Sequence, residues 1–321
     1  MVHMQAVVRG AGSIGSRHLR VLARLGLQSA SWPVRERPDA DDRTVLTDRT
    51  GAAACAGATV VVVATDTSRH VQDALAALEA GARHVLVEKP LAVDGAQAEA
   101  LAHHPRRAAV TVAAPLRGHR AWLDVVELAA AIGGPRTVDV VCQSWLPDWR
   151  PGRDYRESYS ARPEEGGVLR DMVHELDYAI ALTGRPRLLW SRLQHEGPLQ
   201  MAAEQSASLA WMGERGDQVR AHLDYVTRPT RRALAVTGPD GVLEWDLTRH
   251  LVTLRHPDGQ VTERAHPEDA DRDAVMARQL TALLDGTPSP ASPTPLDRAL
   301  DVLRLCDDAR ALSTDHPRRT P

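Results

Sequence analysis

The chain has 321 residues, 43% hydrophobic and 25% charged, with a formal net charge of −3. That length suggests two domains at roughly 100–200 residues each, and the near-balanced charge excludes the strong field of a nucleic-acid or anionic-membrane binder. No apolar run approaches the roughly 18 residues of a membrane span, and Cys55, Cys142 and Cys306 lack the pairing of a disulfide framework or zinc knuckle.

The segment from Met1 shows no signal-peptide pattern, so a reduced, cytoplasmic protein is expected. There is no Phe or Asn, and the 39 basic residues are 38 arginines plus Lys89. A GC-rich coding sequence produces that skew. It makes Lys89 informative, because arginine serves wherever positive charge alone is wanted, whereas a compact, deprotonatable amine does not exchange freely with it.

Gln5–Arg9 reads as a strand, followed by Gly10-Ala11-Gly12-Ser13-Ile14-Gly15 and an amphipathic helix from Ser16 to Leu25. Ser29–Val34 is a second strand. Ala58–Ala64 holds four consecutive valines, the β-branched pattern of a strand buried on both faces. A helix from about Ser68 to Ala80 and a strand at His84–Val87 continue an alternation that predicts a parallel, doubly wound sheet. His103-His104 before Pro105 reads as a helix end, with nothing to complete a metal site.

From Thr137 the pattern changes. Arg187–His195, Ser206–Trp211, Val219–Val226, Ala233–Thr237 and Val242–Trp245 read as strands, alternating as a half-covered antiparallel sheet does. Gly238-Pro239-Asp240-Gly241 and Pro257-Asp258-Gly259 are hairpin signals. Helices return at about Arg272–Leu284 and Leu296–Leu312, with Gly286–Pro295 as a loop. The domain boundary is placed at residues 117/118.

A glycine turn between strand and helix gives a pyrophosphate close access to the free N–H groups of a helix N-terminus, so Gly10, Gly12, Ser13, Ile14 and Gly15 are assigned to a dinucleotide. Arg35, at the end of the second strand, favours NADP through a 2′-phosphate, although a shift of one residue brings Glu36 there and favours NAD. Glu88-Lys89-Pro90 lies at the carboxyl edge of the sheet, where ligands bind. Gly166–Tyr178 reads as a glycine-rich helix entry with Asp171 and His174 on one face, by spacing alone a surface or capping pair sooner than one built for proton transfer, although the residue types suit the latter. Trp145 and Trp149 either stack on a sugar face or anchor their loop. Arg150, Arg153 and Arg156 either read an anion or are solvated, and Arg231-Arg232 reads as solvated.

Gly10–His18, Thr65–His70, Glu88-Lys89-Pro90 and Gly166–His174, in this order, resemble the Gfo/Idh/MocA oxidoreductase family. The tract from Leu146-Pro147-Asp148-Trp149-Arg150-Pro151 to Tyr159-Ser160-Ala161, with His174–Tyr178 and Leu223-Asp224-Tyr225, resembles one bacterial branch. The resemblance implies a Rossmann domain at 1–117. It implies a substrate-binding and oligomerisation α/β domain at 118–321, with a large open, mainly antiparallel sheet and final helices that can pack back on the first domain. It further implies a homodimer or homotetramer, NAD or NADP as cofactor, and a hydroxylated ring (sugar, sugar nucleotide or cyclitol) as substrate. Lys89 matches the family's polarising lysine, His174 its acid/base and Asp171 the acidic partner, here three residues from His174 where many members have four. Thr65, Asp66, His70 and Glu88 fall at cofactor positions. Arg117, Trp149, Tyr155 and Tyr159 are substrate candidates beside Lys89 and His174. The family's Thr-Pro-Asn is Thr65-Asp66-Thr67 here, and its Asn-x-Arg-Phe is Pro115-Leu116-Arg117-Gly118. Other readings that keep the dinucleotide are a redox-neutral epimerase or eliminase recycling NAD, and a non-catalytic regulator.

Overall fold

In the computed structural model, which describes residues 5–34 and 45–314, the chain divides into two units. The first takes in Met1–His119 and Asp271–Leu300, and the second Arg120–Ala270 and Asp301–Pro321.

Valines and alanines build the first sheet. Strands β1 (Ala6–Arg9), β2 (Ser29–Trp32), β3 (Val60–Val63), β4 (His84–Val87) and β5 (Val110–Val112) are parallel in the order β5-β4-β3-β1-β2. Between them come α1 (Ser13–Arg24), α2 (Asp48–Cys55), α3 (His70–Glu79) and α4 (Gly95–Ala102). β1 and β3 are buried throughout, as the apolar runs require of a sheet covered on both faces. Thr294-Pro295, expected within a loop, instead adds antiparallel to β5 at the sheet edge, where a proline without an N–H is tolerated.

Helix Arg272–Leu284 counts with this first unit. Met276, Leu280 and Leu283 join the core of Val8, Leu22 and Val62. Asp273 accepts both guanidinium arms of Arg20 on α1 at 2.6 and 3.0 Å. The Gln279 amide is bonded to the main chain of Ala114. Residues 271–300 thus pack back on the first unit, as the resemblance allows for the final helices, because their apolar stripe faces α1 and the turn after β5.

The second unit carries β6 (Thr137–Trp145), β7 (Arg187–Gln194), β8 (Ser206–Met212), β9 (Gln218–Asp224), β10 (Val226–Gly238), β11 (Gly241–Asp246), β12 (Leu251–Arg255) and β13 (Val261–Ala265). Their order is β13-β12-β11-β10-β6-β9-β8-β7, antiparallel except for β6 beside β9. Helix α5 (Arg120–Ala131) lies against β11 and β12, and α7 (Val173–Thr183) against β6 and β9. Trp122, Tyr178 and Trp245 meet between them with ring centroids 5.6–6.2 Å apart, all at 1% exposure or less.

One ion pair ties this layer together. Arg136 donates from Nε and Nη2 to Asp217 at 3.1 and 2.8 Å, from Nη1 to Ala129 O, and from Nη2 to Leu182 O. It thereby joins the start of β6 to the ends of α5 and α7. Among the described residues no helix is long and apolar enough to cross a membrane. Cys55, Cys142 and Cys306 are buried and free, and burial pushes the Cys55 thiol up to about 11.

Burial pushes the Asp217 carboxyl up, yet the Arg136 bonds hold it below the ordinary aspartate range. Its stabilisation is therefore present above that range and lost as pH falls through the folded value. Asp217→Ala strands a buried guanidinium and should cost about 3–5 kcal/mol in urea unfolding at neutral pH. A gap between wild type and variant that persists unchanged at acid pH would refute this role.

Candidate active site

The glycine turn sorts into two kinds of position. Gly10 lies at φ +107°, and a Cβ there would meet Ala64 O at 2.4 Å; one at Gly15 would meet Gly10 O at 2.1 Å. These two glycines let β1, β3 and α1 approach. A Cβ at Gly12 would meet nothing within 4 Å, although Gly12 is the N-cap of α1 and its φ of −72° suits any residue. Ser13 is exposed and Ile14 half-buried. The first turn of α1 holds no acidic residue and no side-chain cap, so no carboxylate competes there for its N–H groups and dipole, as an anion site requires. The Thr65 hydroxyl beside this turn is buried without a hydrogen-bond partner. A dinucleotide fits: Gly10–Gly15 would take its pyrophosphate and Thr65 a polar group.

The Glu88-Lys89-Pro90 turn follows β4 and is held from below. His18, on α1, donates from Nε2 to Glu88 Oε1 at 2.7 Å, and the Lys89 amide donates to Oε2 at 3.2 Å. Burial pushes the Glu88 carboxyl up, but the His18 bond and the Lys89 amide and charge hold it below its ordinary range. His70 sits with Nδ1 2.8 Å from Pro90 O and Nε2 3.1 Å from Thr65 O. Burial lowers its pKa.

Glu88 (9% exposed) and His70 (1%) are both buried at the carboxyl edge of the sheet. Each ring or carboxylate is turned into the protein and fixes the loops that carry Thr65 and Lys89. Lys89 itself is half-buried and Asp66 exposed. Arg35 lies outside the described residues. Arg117 is buried at 4% in the turn after β5.

In the second unit the expected single helix is broken. α6 (Val168–Asp171) ends at Met172, whose φ −97° and ψ 28° leave the helical region, and α7 starts at Val173. Asp171 therefore closes one helix and His174 lies in the first turn of the next. Gly166-Gly167 seats this entry: a Cβ at Gly166 would meet Tyr159 O at 2.1 Å, and Gly167 has φ +91°.

Asp171 Oδ2 accepts from Ser160 Oγ at 2.6 Å and from the Tyr225 hydroxyl at 2.7 Å. Burial and the adjacent Asp171 charge push the Tyr225 phenol well up, so it stays a donor. His174 is half-buried. The next residue, Glu175, is fully buried and takes a 2.5 Å bond from Arg232 Nε, so Arg232 is no solvated residue. Sequence reasoning passed over His18, Ser160 and Tyr225. Each lay inside a quoted motif, but the bond it makes joins positions 11–70 residues apart.

Leu146–Ser160 wraps a cavity of about 370 Å³ lined by Trp149, Arg150, Arg153, Asp154, Tyr155 and Glu157 among others. Trp149 is 40% exposed, donates from Nε1 to Ser144 Oγ at 2.9 Å and stands edge-on to Tyr225 at 5.4 Å. The Tyr155 hydroxyl accepts from Gln200 N. Tyr159 lies under Arg150 at 5.4 Å.

Residues 4–115 match the family model GFO_IDH_MocA, described as an oxidoreductase family with an NAD-binding Rossmann fold. The class of the first unit is thus that of NAD-binding oxidoreductases. Within it, residues 4–115 are similar to the Gfo/Idh/MocA family. No curated protein matches the chain in sequence at a significant level. Among solved structures, UDP-N-acetylglucosamine 3-dehydrogenase GnnA from Acidithiobacillus ferrooxidans is 20% identical, with a TM-score of 0.77 over 98% of this chain and 99% of that one. Levoglucosan dehydrogenase in complex with NADH is 17% identical, with a TM-score of 0.80 over 97% of both chains. Aldose-aldose oxidoreductase from Caulobacter crescentus is 19% identical, with a TM-score of 0.77 over 97% of both. At these identities the likeness is one of fold.

Gly12→Val should leave the melting temperature nearly unchanged and abolish NAD binding in calorimetry, whereas Gly15→Ala should cost about 1–3 kcal/mol by overpacking. Equal stability losses in the two variants would reverse this division of roles. Because the folded Glu88 pKa is lowered, its contribution is present above about pH 4.3 and fades as pH falls through the folded value. Glu88→Gln should therefore melt lower at pH 7, with the gap narrowing in acid; a gap constant across pH would contradict the buried carboxylate.

Proposed function

We propose that the chain is an NAD(P)-dependent dehydrogenase or reductase acting on a ring hydroxyl or ketone of a sugar, sugar nucleotide or cyclitol. The observation that carries this reading is the Glu88-Lys89 turn. It lies at the carboxyl edge of the NAD-binding sheet and is tied by Glu88 to His18 of the helix whose N-terminus is open to a pyrophosphate. The named activities of proteins sharing this fold, on UDP-N-acetylglucosamine and on levoglucosan, support a hydroxylated ring as substrate.

When bound, the dinucleotide supplies the hydride acceptor or donor. Lys89 donates a hydrogen bond to the substrate oxygen and stabilises the charge that develops there. His174 takes the hydroxyl proton on oxidation and returns it on reduction. Asp171 acts as a positioning residue, since its carboxylate anchors Ser160 and Tyr225 to the turn that leads into His174.

The test is formation of reduced nicotinamide, followed by absorbance, with a panel of sugars, sugar nucleotides and cyclitols and with NAD and NADP compared. His174→Ala should lower turnover by roughly 10²–10⁴. Lys89→Arg should be nearly as damaging as Lys89→Ala, because a planar guanidinium displaces the substrate oxygen and misplacement of about 1 Å costs on the order of 10²-fold. Melting temperatures should barely move. Turnover near wild type in Lys89→Arg would reduce the lysine to a bearer of charge.

A further inference from the structure

The cavity of the second unit carries charges that the hydride-transfer scheme does not use. Its volume, about 370 Å³, falls in the range of small-ligand sites. Two carboxylates line it, and one is already closed off. Asp154 takes Arg156 Nε at 2.9 Å and Nη2 at 2.7 Å, while Arg156 Nη1 reaches Gln200 at 3.0 Å. The Arg156 bonds hold Asp154 below the ordinary carboxylate range. Arg156 is thereby spoken for.

What faces the cavity is then Arg150, Arg153 and Glu157, a surplus of one positive charge. The Glu157 carboxylate lies within reach of the Arg156 charge, Arg153 lines the cavity as an exposed guanidinium, and Arg150 rests on the Tyr159 ring. Trp149 supplies a flat apolar wall. Its N–H is bonded inward to Ser144 and its ring is braced by Tyr225, yet 40% of the residue stays exposed. An indole fixed at its polar end and still partly exposed along a cavity leaves apolar ring surface for a ligand to stack on.

We propose that this cavity is a subsite for a saccharide ring bearing one anionic group, a carboxylate or a phosphate ester. Trp149 lies under the ring, Glu157 accepts from ring hydroxyls, and the planar forks of Arg150 and Arg153 take the anion. The inference rests on a hydroxylated ring being the substrate and names the substrate's charge. A neutral polyol leaves the surplus guanidinium without a counter-charge, and a bare inorganic anion leaves Trp149 unused and meets Glu157. The subsite also communicates with the turn before His174: Ser160 lines the cavity and donates to Asp171, and Tyr225 braces Trp149 while donating to the same oxygen.

The experiment is calorimetric titration with glucose, glucuronate, glucose 1-phosphate and inorganic phosphate, with and without NAD. At least one anionic sugar should bind tenfold or more tightly than glucose, and the glucuronate and glucose 1-phosphate arms tell carboxylate from phosphate. That preference should shrink with added salt and disappear in the Arg150→Gln/Arg153→Gln double variant. Trp149→Leu should weaken every sugar. The three side chains changed are exposed, so melting temperatures should hold. Equal affinity for glucose and both anions, no binding of either anion, inorganic phosphate binding as tightly as glucose 1-phosphate, or a preference unchanged in the double variant would each overturn the subsite. Loss of NAD binding instead strikes the dehydrogenase reading, and the titrations without NAD judge the subsite by itself.

Discussion

A buried carboxylate sets the terms for the first unit. Placing an ionised glutamate at 9% exposure costs several kcal/mol unless hydrogen bonds and opposite charge replace its water. For Glu88 the replacements come from two directions, the His18 ring on α1 and the amide of the next residue, Lys89. His18 reaches across because β1 and β4 flank β3 in a parallel sheet, so α1 and the turn after β4 start from the same edge. The close approach at Gly15 and Gly10 brings α1 down onto that edge. The same geometry that opens the α1 N-terminus to an anion therefore fixes the backbone of Lys89.

The second unit solves a related problem with hydroxyls in place of an imidazole. Asp171 is 5% exposed and receives Ser160 and Tyr225. Glu175 is fully buried and receives Arg232. These two carboxylates bracket His174 in the chain, one at the end of α6 and one in the first turn of α7. Each is anchored to a different element, β9's continuation at Tyr225 and β10 at Arg232. Small motions of the break at Met172 thus meet resistance from both sides. A proton-transferring imidazole gains from such support, because rate falls steeply with misplacement.

Much of this fold was legible in the sequence, and the failures have physical causes. The four valines of β3 and the glycine turn after β1 read correctly, since burial on both faces and a tight turn leave strong local marks. Helix Arg272–Leu284 read correctly to the residue. Thr294-Pro295 did not read as a strand, because two residues at an edge carry no periodicity. Strands β5, β12 and β13 are only three to five residues long and carry little periodicity of their own, whereas β6, with its strict alternation and valines, left a mark that went unassigned. The break at Met172 was invisible because no proline or glycine marks it; it follows from Asp171 being held by residues 11 and 54 positions away. Arg232 looked solvated because Arg231 beside it is exposed, and alternation alone decides which of the two meets Glu175.

The arginine content sharpens what the single lysine means. At several arginines the planar fork is in use. Arg9 lies 4.1 Å over Trp32 and Arg228 lies 4.7 Å over Trp145, contacts that favour a flat, weakly hydrated cation. Arg136 grips Asp217 with two arms while a third and fourth bond take main-chain oxygens, a pattern three tetrahedral ammonium donors cannot reproduce. A composition pressed toward arginine thus meets no resistance at such sites and is even favoured there. Resistance is expected where a small, mobile donor has to share a narrow place with other groups. The Glu88-Lys89-Pro90 turn, with its backbone fixed from below by Glu88 and His70, is a place of that kind: the rigid base leaves the length and slimness of the side chain to set where its charge ends.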